Sequence, residues 1–234
     1  MPFLLCIDNG HFQYNAVSLG FVIIGLTFFL NSSKISELNA LSGAFFFMSS
    51  ILYKQMSLYF SLPIFFFLLA KSHKTFLKDS LVSSFWLLFS LTCGVIISFT
   101  ITFLPWFLVN DYDSNSDLEN QSKHAIILSR LLQIMNRVFP VGRGIFEDKV
   151  ASFWCTLDKF IKIKQVFSAD QLFKLSMSIT LGLTMIVCLH LFWKMINSCS
   201  EKTERSLLRY ALINTSLIWF LFSYHVHEKT ILHV

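Results

Sequence analysis

The chain has 234 residues, of which 54% are hydrophobic and only 14% are charged, and its mean hydropathy is +0.60. Charged residues make up about 25% of an ordinary soluble domain, so this composition excludes a soluble globular protein. The net charge of +5 does not indicate a nucleic-acid partner, because no basic patch interleaved with aromatic residues occurs. An all-α, polytopic membrane protein is predicted, with residues 1–234 in a single transmembrane domain.

The N-terminal residues and the cysteines exclude two further classes. The opening MPFLLCIDNGH has neither the charged region nor the cleavage site of a signal peptide. It is also too short to span a bilayer, and looks like the end of a segment that begins upstream. Cys93 and Cys188 lie in apolar runs and no C-x-x-C pair occurs, so neither a disulfide framework nor a zinc site is predicted.

Six apolar stretches are predicted to be membrane segments: 16–30, 38–52, 57–70, 80–104, 172–194 and 207–223. A bilayer core requires about 20 residues, so the first three are short. The stretch 57–70 also contains Pro63, and a re-entrant or buried segment is the alternative there. The long polar interval 105–171 is predicted to be a loop between the fourth and fifth segments.

Two parts of this long loop have the apolar periodicity of amphipathic helices. In residues 123–139 one face carries Ile127, Leu131, Ile134 and Val138, and the opposite face carries Arg130 and Arg137. In residues 146–164 the apolar positions are Val150, Phe153, Leu157, Phe160 and Ile161. Both patterns are typical of helices that lie in the membrane interface, and packing against the chain's own membrane segments is the alternative.

The orientation follows from the short loops, because cytoplasmic loops carry an excess of Lys and Arg. The loops 31–37, 71–79 and 194–206 together hold seven basic residues: Lys34, Lys71, Lys74, Lys78, Lys194, Lys202 and Arg205. The short segments on the other side hold only Lys54 and Lys229. The first set is therefore predicted to be cytoplasmic, which leaves residues 1–15, 53–56, the long loop and 224–234 on the opposite face.

The unusual polar clusters all fall on this non-cytoplasmic face, as expected for an active site at a membrane–water boundary. Residues 7–15 offer five hydrogen-bonding side chains at the edge of hydrocarbon, where ionisable groups are costly: Asp8, His11, Gln13, Tyr14 and Asn15. Ordinary loop composition is the alternative interpretation of this stretch.

A second cluster lies in FPVGRGIFEDKVASFWC, residues 139–155. There Arg143 can bind phosphate, and Glu147 or Asp148 can accept a proton. A surface turn leading into a capped helix is the alternative. No metal site is predicted, because the D-x-D at 111–113 is too short a pattern to be informative, and His225 and His227 lack an evident third ligand.

Four motifs carry a family resemblance that covers nearly the whole chain: IDNGHFQYN, YKQMSLYFSLP, RVFPVGRGIFEDKVASFWC and VHEKTIL. In order and rough spacing they resemble the endoplasmic-reticulum glucosyltransferases of the asparagine-linked glycosylation pathway, and the EDKVA run is similar to members that add the first glucose. The resemblance implies a partial GT-C-like helical bundle. It also implies transfer of glucose from dolichyl-phosphate glucose to the lipid-linked high-mannose oligosaccharide, with inversion and without a metal or other cofactor.

The resemblance also implies roles for individual residues. The catalytic groups would be Asp8, His11, Glu147, Asp148 and His227. The substrate-binding groups would be Gln13, Tyr14, Asn15, Lys54, Gln55, Arg143, Lys149, Trp154, His225, Glu228 and Lys229. Among these, the cationic groups would stabilise the departing lipid phosphate, and Glu228 would orient its neighbours.

The chain departs from the family pattern in two respects. Asn9 stands where the family usually has a histidine, in Asp8-Asn9-Gly10-His11. Family members also have about twice as many membrane segments, with their principal acidic catalytic residue in an upstream luminal loop, so an internal fragment or truncated form is expected. The partners implied are dolichyl-phosphate glucose, lipid-linked oligosaccharide and membrane lipid, in the endoplasmic-reticulum membrane with the polar clusters facing the lumen.

A non-catalytic polytopic transporter or scaffold is the alternative function. A transporter would carry polar clusters within its membrane segments, along a permeation path. Here the predicted segments hold few ionisable residues near mid-membrane, and Asn214 is the main polar exception.

Overall fold

The computed structural model describes residues 14–31, 34–108, 129, 132–133, 152–198 and 200–224. Within these residues the chain forms eight α-helices and one 3₁₀ helix, and contains no strand. In chain order they are α1 (Asn15–Leu30), α2 (Glu37–Tyr53), the 3₁₀ helix (Gln55–Phe60), α3 (Ser61–Lys78), α4 (Leu81–Leu108), α5 (Phe153–Ile161), α6 (Ile163–Val166), α7 (Ala169–Ile196) and α8 (Glu201–Phe222). The predicted all-α class is confirmed.

Each of the six predicted membrane segments is helical. In the described part of the chain, three helices are long and apolar enough to cross a membrane: Gln55–Lys78, Leu81–Pro105 and Ala169–Ile196, while α1 is a shorter apolar helix. The doubtful stretch 57–70 belongs to the first of these, 24 residues long. Pro63 lies in the first turn of α3, where its missing N–H removes no necessary hydrogen bond, so the helix continues through it.

The predicted loop 71–79 is wrong in its boundary, because α3 continues to Lys78. Lys71 and Lys74 are one turn apart on this helix, and both contact the Glu204 carboxylate of α8. Their aliphatic stems extend along the packed helices while the charged ends find a partner, so two basic residues that suggest a solvated loop lie instead at a helix–helix contact.

The helices pack in a sequence of neighbours. Helix α2 lies against α1 and α4, α3 contacts α4 and α7, and α7 and α8 pack against each other. Small residues permit the close approach of α2 and α4, since a Cβ at Gly94 would lie 2.3 Å from the Leu41 carbonyl oxygen. The shared core includes Phe29, Phe67, Leu191 and Leu208.

A stripe of buried hydroxyls follows α7 at Ser176, Thr180 and Thr184. The first two donate hydrogen bonds to carbonyls of their own helix, Phe173 and Ser176 respectively. Residues of this size, spaced four apart, are typical of close helix packing in membranes. The hydroxyls of Ser176 and Thr180 are thus engaged within α7, whereas the buried Thr184 hydroxyl has no hydrogen-bond partner among the described residues.

The prediction of one amphipathic helix over 146–164 is wrong in extent. Helix α5 ends at Ile161 because Lys162 adopts a left-handed conformation (φ 45°), and the short α6 follows. Trp154 is buried whereas Phe160 is 81% exposed, so α5 has one face on the bundle and an apolar face outside, as an interfacial helix requires. Of the other predicted helix, 123–139, only Ser129, Leu132 and Gln133 are described, and their backbone is helical.

Candidate active site

The helix connections bring the described parts of the predicted clusters to one end of the bundle. This end, which we call the Lys54 end, comprises the start of α1, the end of α2, the 3₁₀ helix, α5 and the end of α8. The opposite end, called the Glu204 end, comprises the end of α1, the start of α2, the ends of α3 and α7 and the start of α8. Contacts between side chains at each end support this division.

Three serines join three elements at the Lys54 end. Ser18 of α1 shares hydrogen bonds with Ser50 of α2 (3.1 Å) and with Ser57 of the 3₁₀ helix (2.7 Å). The Ser50 hydroxyl also donates to the Ser18 carbonyl (3.0 Å). All three residues are completely buried. Buried hydroxyls that satisfy one another specify one arrangement of their backbones, so this cluster fixes α1 relative to the connection that carries Lys54.

Asn15 lies one turn before Ser18 on α1 and is also completely buried. Neither its side-chain nitrogen nor its side-chain oxygen has a hydrogen-bond partner among the described residues. A buried amide without partners costs about 1–3 kcal/mol, so its presence needs a compensating reason. Tyr14, immediately before it, is half exposed in a left-handed conformation (φ 56°), and its position puts a phenol ring at the surface beside the buried amide.

Lys54 and Gln55 form the connection between α2 and the 3₁₀ helix. Lys54 has an extended backbone, and its N–H donates to the Ser50 carbonyl at 2.9 Å. Its side chain is half-buried, while Gln55 is exposed. The structure therefore places Asn15, Lys54 and Gln55, all predicted to bind substrate, on elements that the serine cluster connects.

Trp154 connects α5 to the end of α8. Its indole N–H donates to the Phe222 carbonyl at 2.7 Å, and its ring packs with Ile163 and Leu172. The indole N–H is therefore engaged within the protein, and the predicted contact with substrate remains a prediction that would have to involve the ring. Next to it, the rings of Phe153 and Phe222 lie 5.1 Å apart.

Tyr59, Trp219 and Ser223 are not predicted from the sequence, yet their side chains meet at the same end. The rings of Tyr59 and Trp219 stack at 5.2 Å, and Tyr59 shares a side-chain hydrogen bond with Ser223. The indole nitrogen of Trp219 is buried without a partner among the described residues. The sequence does hold one signal for them, since Trp219 and Ser223 are four residues apart and lie shortly before the VHEKTIL motif.

The remaining predicted site residues lie outside the described residues, and their roles remain predictions. They are Asp8, His11, Gln13, Arg143, Glu147, Asp148, Lys149, His225, His227, Glu228 and Lys229. Among the residues that are described, no group of three His, Cys, Asp or Glu side chains could hold a metal ion. The D-x-D at 111–113 also lies outside them.

The Glu204 end has different electrostatics. The Lys71 Nζ lies 2.6 Å from Glu204 Oε2, Lys74 contacts Oε1, and Lys74 also donates to the Ser198 carbonyl. Burial acts to raise the pKa of Glu204, but hydrogen bonds from the two ammonium groups and their charge outweigh it, so this pKa lies below its ordinary value. The carboxylate is thus ionised and positions α8 against α3.

Two comparisons with known proteins agree on the family to which this chain is similar. The model of the ALG6, ALG8 glycosyltransferase family matches residues 1–234. The chain is 37% identical over 234 residues to a Dictyostelium discoideum protein and 37% identical over 231 residues to one from Schizosaccharomyces pombe, each named a probable dolichyl pyrophosphate Man9GlcNAc2 alpha-1,3-glucosyltransferase. A Pongo abelii protein with the same name without "probable" is 38% identical over 233 residues. The matches cover 99–100% of this chain but 38–39% of those relatives, so the chain spans about two fifths of their length.

Proposed function

The chain belongs to the ALG6, ALG8 glycosyltransferase family, and we propose that it forms part of an α-1,3-glucosyltransferase that acts on a dolichyl-pyrophosphate-linked Man9GlcNAc2 oligosaccharide. The family match and the relatives' names support the reaction class. One structural observation supports the location of the site: the start of α1, the 53–56 connection and the end of α8, which adjoin three of the polar motifs, meet at the Lys54 end.

The donor is proposed to be dolichyl-phosphate glucose. In the transfer, an acceptor hydroxyl oxygen of mannose attacks the anomeric carbon of glucose, and the bond from that carbon to the phosphate oxygen breaks. The electron pair leaves with the lipid phosphate, and the hydroxyl proton passes to a carboxylate. Attack opposite the leaving group inverts the anomeric configuration, and no metal is needed because fixed cations can neutralise a monophosphate.

The residues are proposed to divide into three sets. His227, Lys229 and Arg143 stabilise the leaving phosphate, with Lys54 at its periphery. Asp8, Glu147 and Asp148 are the carboxylates of this chain available as proton acceptors, with His11 nearby in the first motif. Gln55, Tyr14 and Asn15 offer hydrogen bonds to sugar hydroxyls.

Among the described residues, Asn15 gives the strongest support for a sugar ligand. Its buried amide has donors and an acceptor that the described residues leave unused, and a sugar hydroxyl can both donate to and accept from an amide. The proposed location is the endoplasmic-reticulum membrane, with the Lys54 end in the lumen, where the positive-inside rule places it.

A replacement experiment tests the proposal without requiring the chain to act alone. The segment of the Schizosaccharomyces pombe relative that matches this chain, about 38% of that protein, is exchanged for residues 1–234. The chimaera is expressed in membranes that lack the relative, and transfer of labelled glucose from dolichyl-phosphate glucose to lipid-linked Man9GlcNAc2 is measured. Transfer above the empty-membrane background is expected. A stably inserted chimaera that transfers no glucose would contradict the proposal.

A further inference from the structure

An open groove of 450 Å³ lies beside α1 at the Glu204 end. Its apolar wall is formed by Ile23, Leu26 and Leu30, and its polar end by Asn31 and Arg205. From Ile23 to Leu30 a helix rises about 10 Å, which is enough to accommodate a substantial part of one acyl chain. An apolar wall that ends in a cation beside the predicted membrane boundary is the combination that an anionic lipid requires.

The charges around the groove favour an anion. A smaller, partly open cavity of 10 Å³ shares Leu30 and Arg205 with the groove and is also lined by Lys71, Glu201 and Glu204. With Lys74, which contacts Glu204, the described cluster has three positive charges against two negative ones. One excess positive charge therefore lies where the membrane segment meets the interface.

Arg205 retains binding capacity despite its neighbour Glu201. Its guanidinium nitrogen lies 3.5 Å from the Glu201 carboxylate, and both side chains are 47% exposed. An exposed pair of this kind contributes little, and the guanidinium has five N–H donors in a fixed plane. Arg205 can therefore bind a phosphate through two N–H groups while it keeps part of its contact with Glu201.

We propose that this groove binds an anionic phospholipid, with its phosphate at Arg205 and Asn31 and an acyl chain along Ile23, Leu26 and Leu30. The apolar wall favours a lipid over free phosphate, and the excess positive charge favours an anionic headgroup over a zwitterionic one. The Glu204 end is the side predicted to be cytoplasmic, the leaflet in which anionic lipids are enriched. This site is independent of the proposed glucosyl transfer, which lies at the opposite end.

Photolabelling of residues 1–234 tests the proposal. The chain is reconstituted in phosphatidylcholine nanodiscs that contain equal trace amounts of photoactivatable phosphatidylserine or photoactivatable phosphatidylcholine, and labelled peptides are mapped by mass spectrometry. Phosphatidylserine is expected to label residues 23–31 about fivefold more than phosphatidylcholine, the factor that one cation near the surface provides. Equal labelling by the two lipids would overturn the proposal.

Matched variants identify the cation responsible. Arg205→Ala should abolish the preference for phosphatidylserine, and Glu201→Gln should increase it by freeing Arg205. Lys202→Ala is the charge-matched control, because Lys202 is exposed on the same helix but does not line the groove, and it should leave the preference unchanged. A preference that persists in Arg205→Ala would refute the site.

Occupancy of the groove by a second copy of the chain, in place of a lipid, is a distinct outcome of the experiment. Leu26→Trp fills the groove and should reduce labelling of residues 23–31 by both lipids. Labelling at the exposed residues Leu88 and Phe89 of α4 should remain the same in every variant, which shows that each is inserted and folded. Cross-linking of α1 to a second copy in place of lipid labelling would contradict the proposal.

Discussion

Replacement of Asn15 by leucine should make the fold more stable and weaken the proposed transfer site. The side chain is completely buried and its amide has no partner among the described residues. A buried polar group without a hydrogen bond costs about 1–3 kcal/mol. Leucine has the same branching but more volume, and overpacking cancels part of the gain. A net increase of about 1–2 kcal/mol in the free energy of unfolding is expected.

Ser57→Ala is the matched control for this prediction. Ser57 is equally buried and lies on the same end of the bundle, but its hydroxyl has partners in Ser18 and Ser50. Its removal takes one partner from each of those hydroxyls, which keep their bonds to each other's carbonyl, so a loss of about 0.5–1.5 kcal/mol is expected. The measurement is reversible unfolding of the chain in detergent micelles, followed by helix circular dichroism.

The functional half of the prediction uses the chimaera with the Schizosaccharomyces pombe relative. If the Asn15 amide binds a sugar hydroxyl or a phosphate oxygen, Asn15→Leu should reduce glucose transfer about tenfold or more, the effect of losing one good hydrogen bond to substrate. A destabilisation of Asn15→Leu as large as that of Ser57→Ala would show that the amide has a structural partner, and would refute the reasoning. Unchanged transfer would remove Asn15 from the site.

Three further predictions concern the two ends of the bundle. Glu204→Gln should lower the free energy of unfolding by about 3–5 kcal/mol, as when one partner of a buried pair is removed, whereas the exposed Asp170→Asn should change it by less than about 1 kcal/mol. The pKa of Glu204 is lowered in the folded chain. Its contribution to the free energy of unfolding is therefore complete above the ordinary carboxyl pKa of about 4.3 and is lost as the pH falls through the lowered value. Unfolding measured against pH should show this loss in the wild type and not in Glu204→Gln. In a microsomal glycosylation assay the sequon at Asn120 should be modified and that at Asn31, at the Glu204 end, should not; modification of Asn31 would reverse the assigned orientation. Trp154→Phe removes the hydrogen bond to the Phe222 carbonyl and should cost about 1 kcal/mol in the same unfolding assay, while no loss would mean that the contact does not stabilise the end of α8.

The sequence alone predicted the elements well and their mutual contacts poorly. Apolar runs locate helices because a membrane leaves the backbone no other way to satisfy its hydrogen bonds. Ser18 and Ser57, however, are 39 residues apart, and nothing in their neighbourhoods indicates that they pair. Such contacts depend on how α1 and α2 pack, which apolar periodicity does not specify.

The burial of two basic residues also could not be predicted from the sequence. The order of the membrane segments correctly predicts that Lys71 and Lys74 lie at the same end of the bundle as the residues around Ser198, but it does not predict their burial against Glu204. A run with two acids and two bases at the start of α8 is typical of a solvated helix end, and only the packing of α3 on α8 brings Glu204 to two lysines. For the site, motif resemblance selected Asn15, Lys54, Gln55 and Trp154, while the aromatic contact of Tyr59 with Trp219 became evident only in three dimensions.

The most direct test of the account compares single substitutions on α8 and just beyond it in the glucose-transfer assay of the chimaera. His227→Ala and Lys229→Ala remove cations proposed to stabilise the leaving phosphate, and each should reduce turnover at saturating donor about 100-fold, as loss of one stabilising donor typically does. Lys202→Ala, at the opposite end of the same helix, should stay within about twofold of the wild type because it contacts neither substrate in this account. Wild-type turnover in both His227→Ala and Lys229→Ala, at normal expression, would contradict the assignment of the transfer site to the Lys54 end.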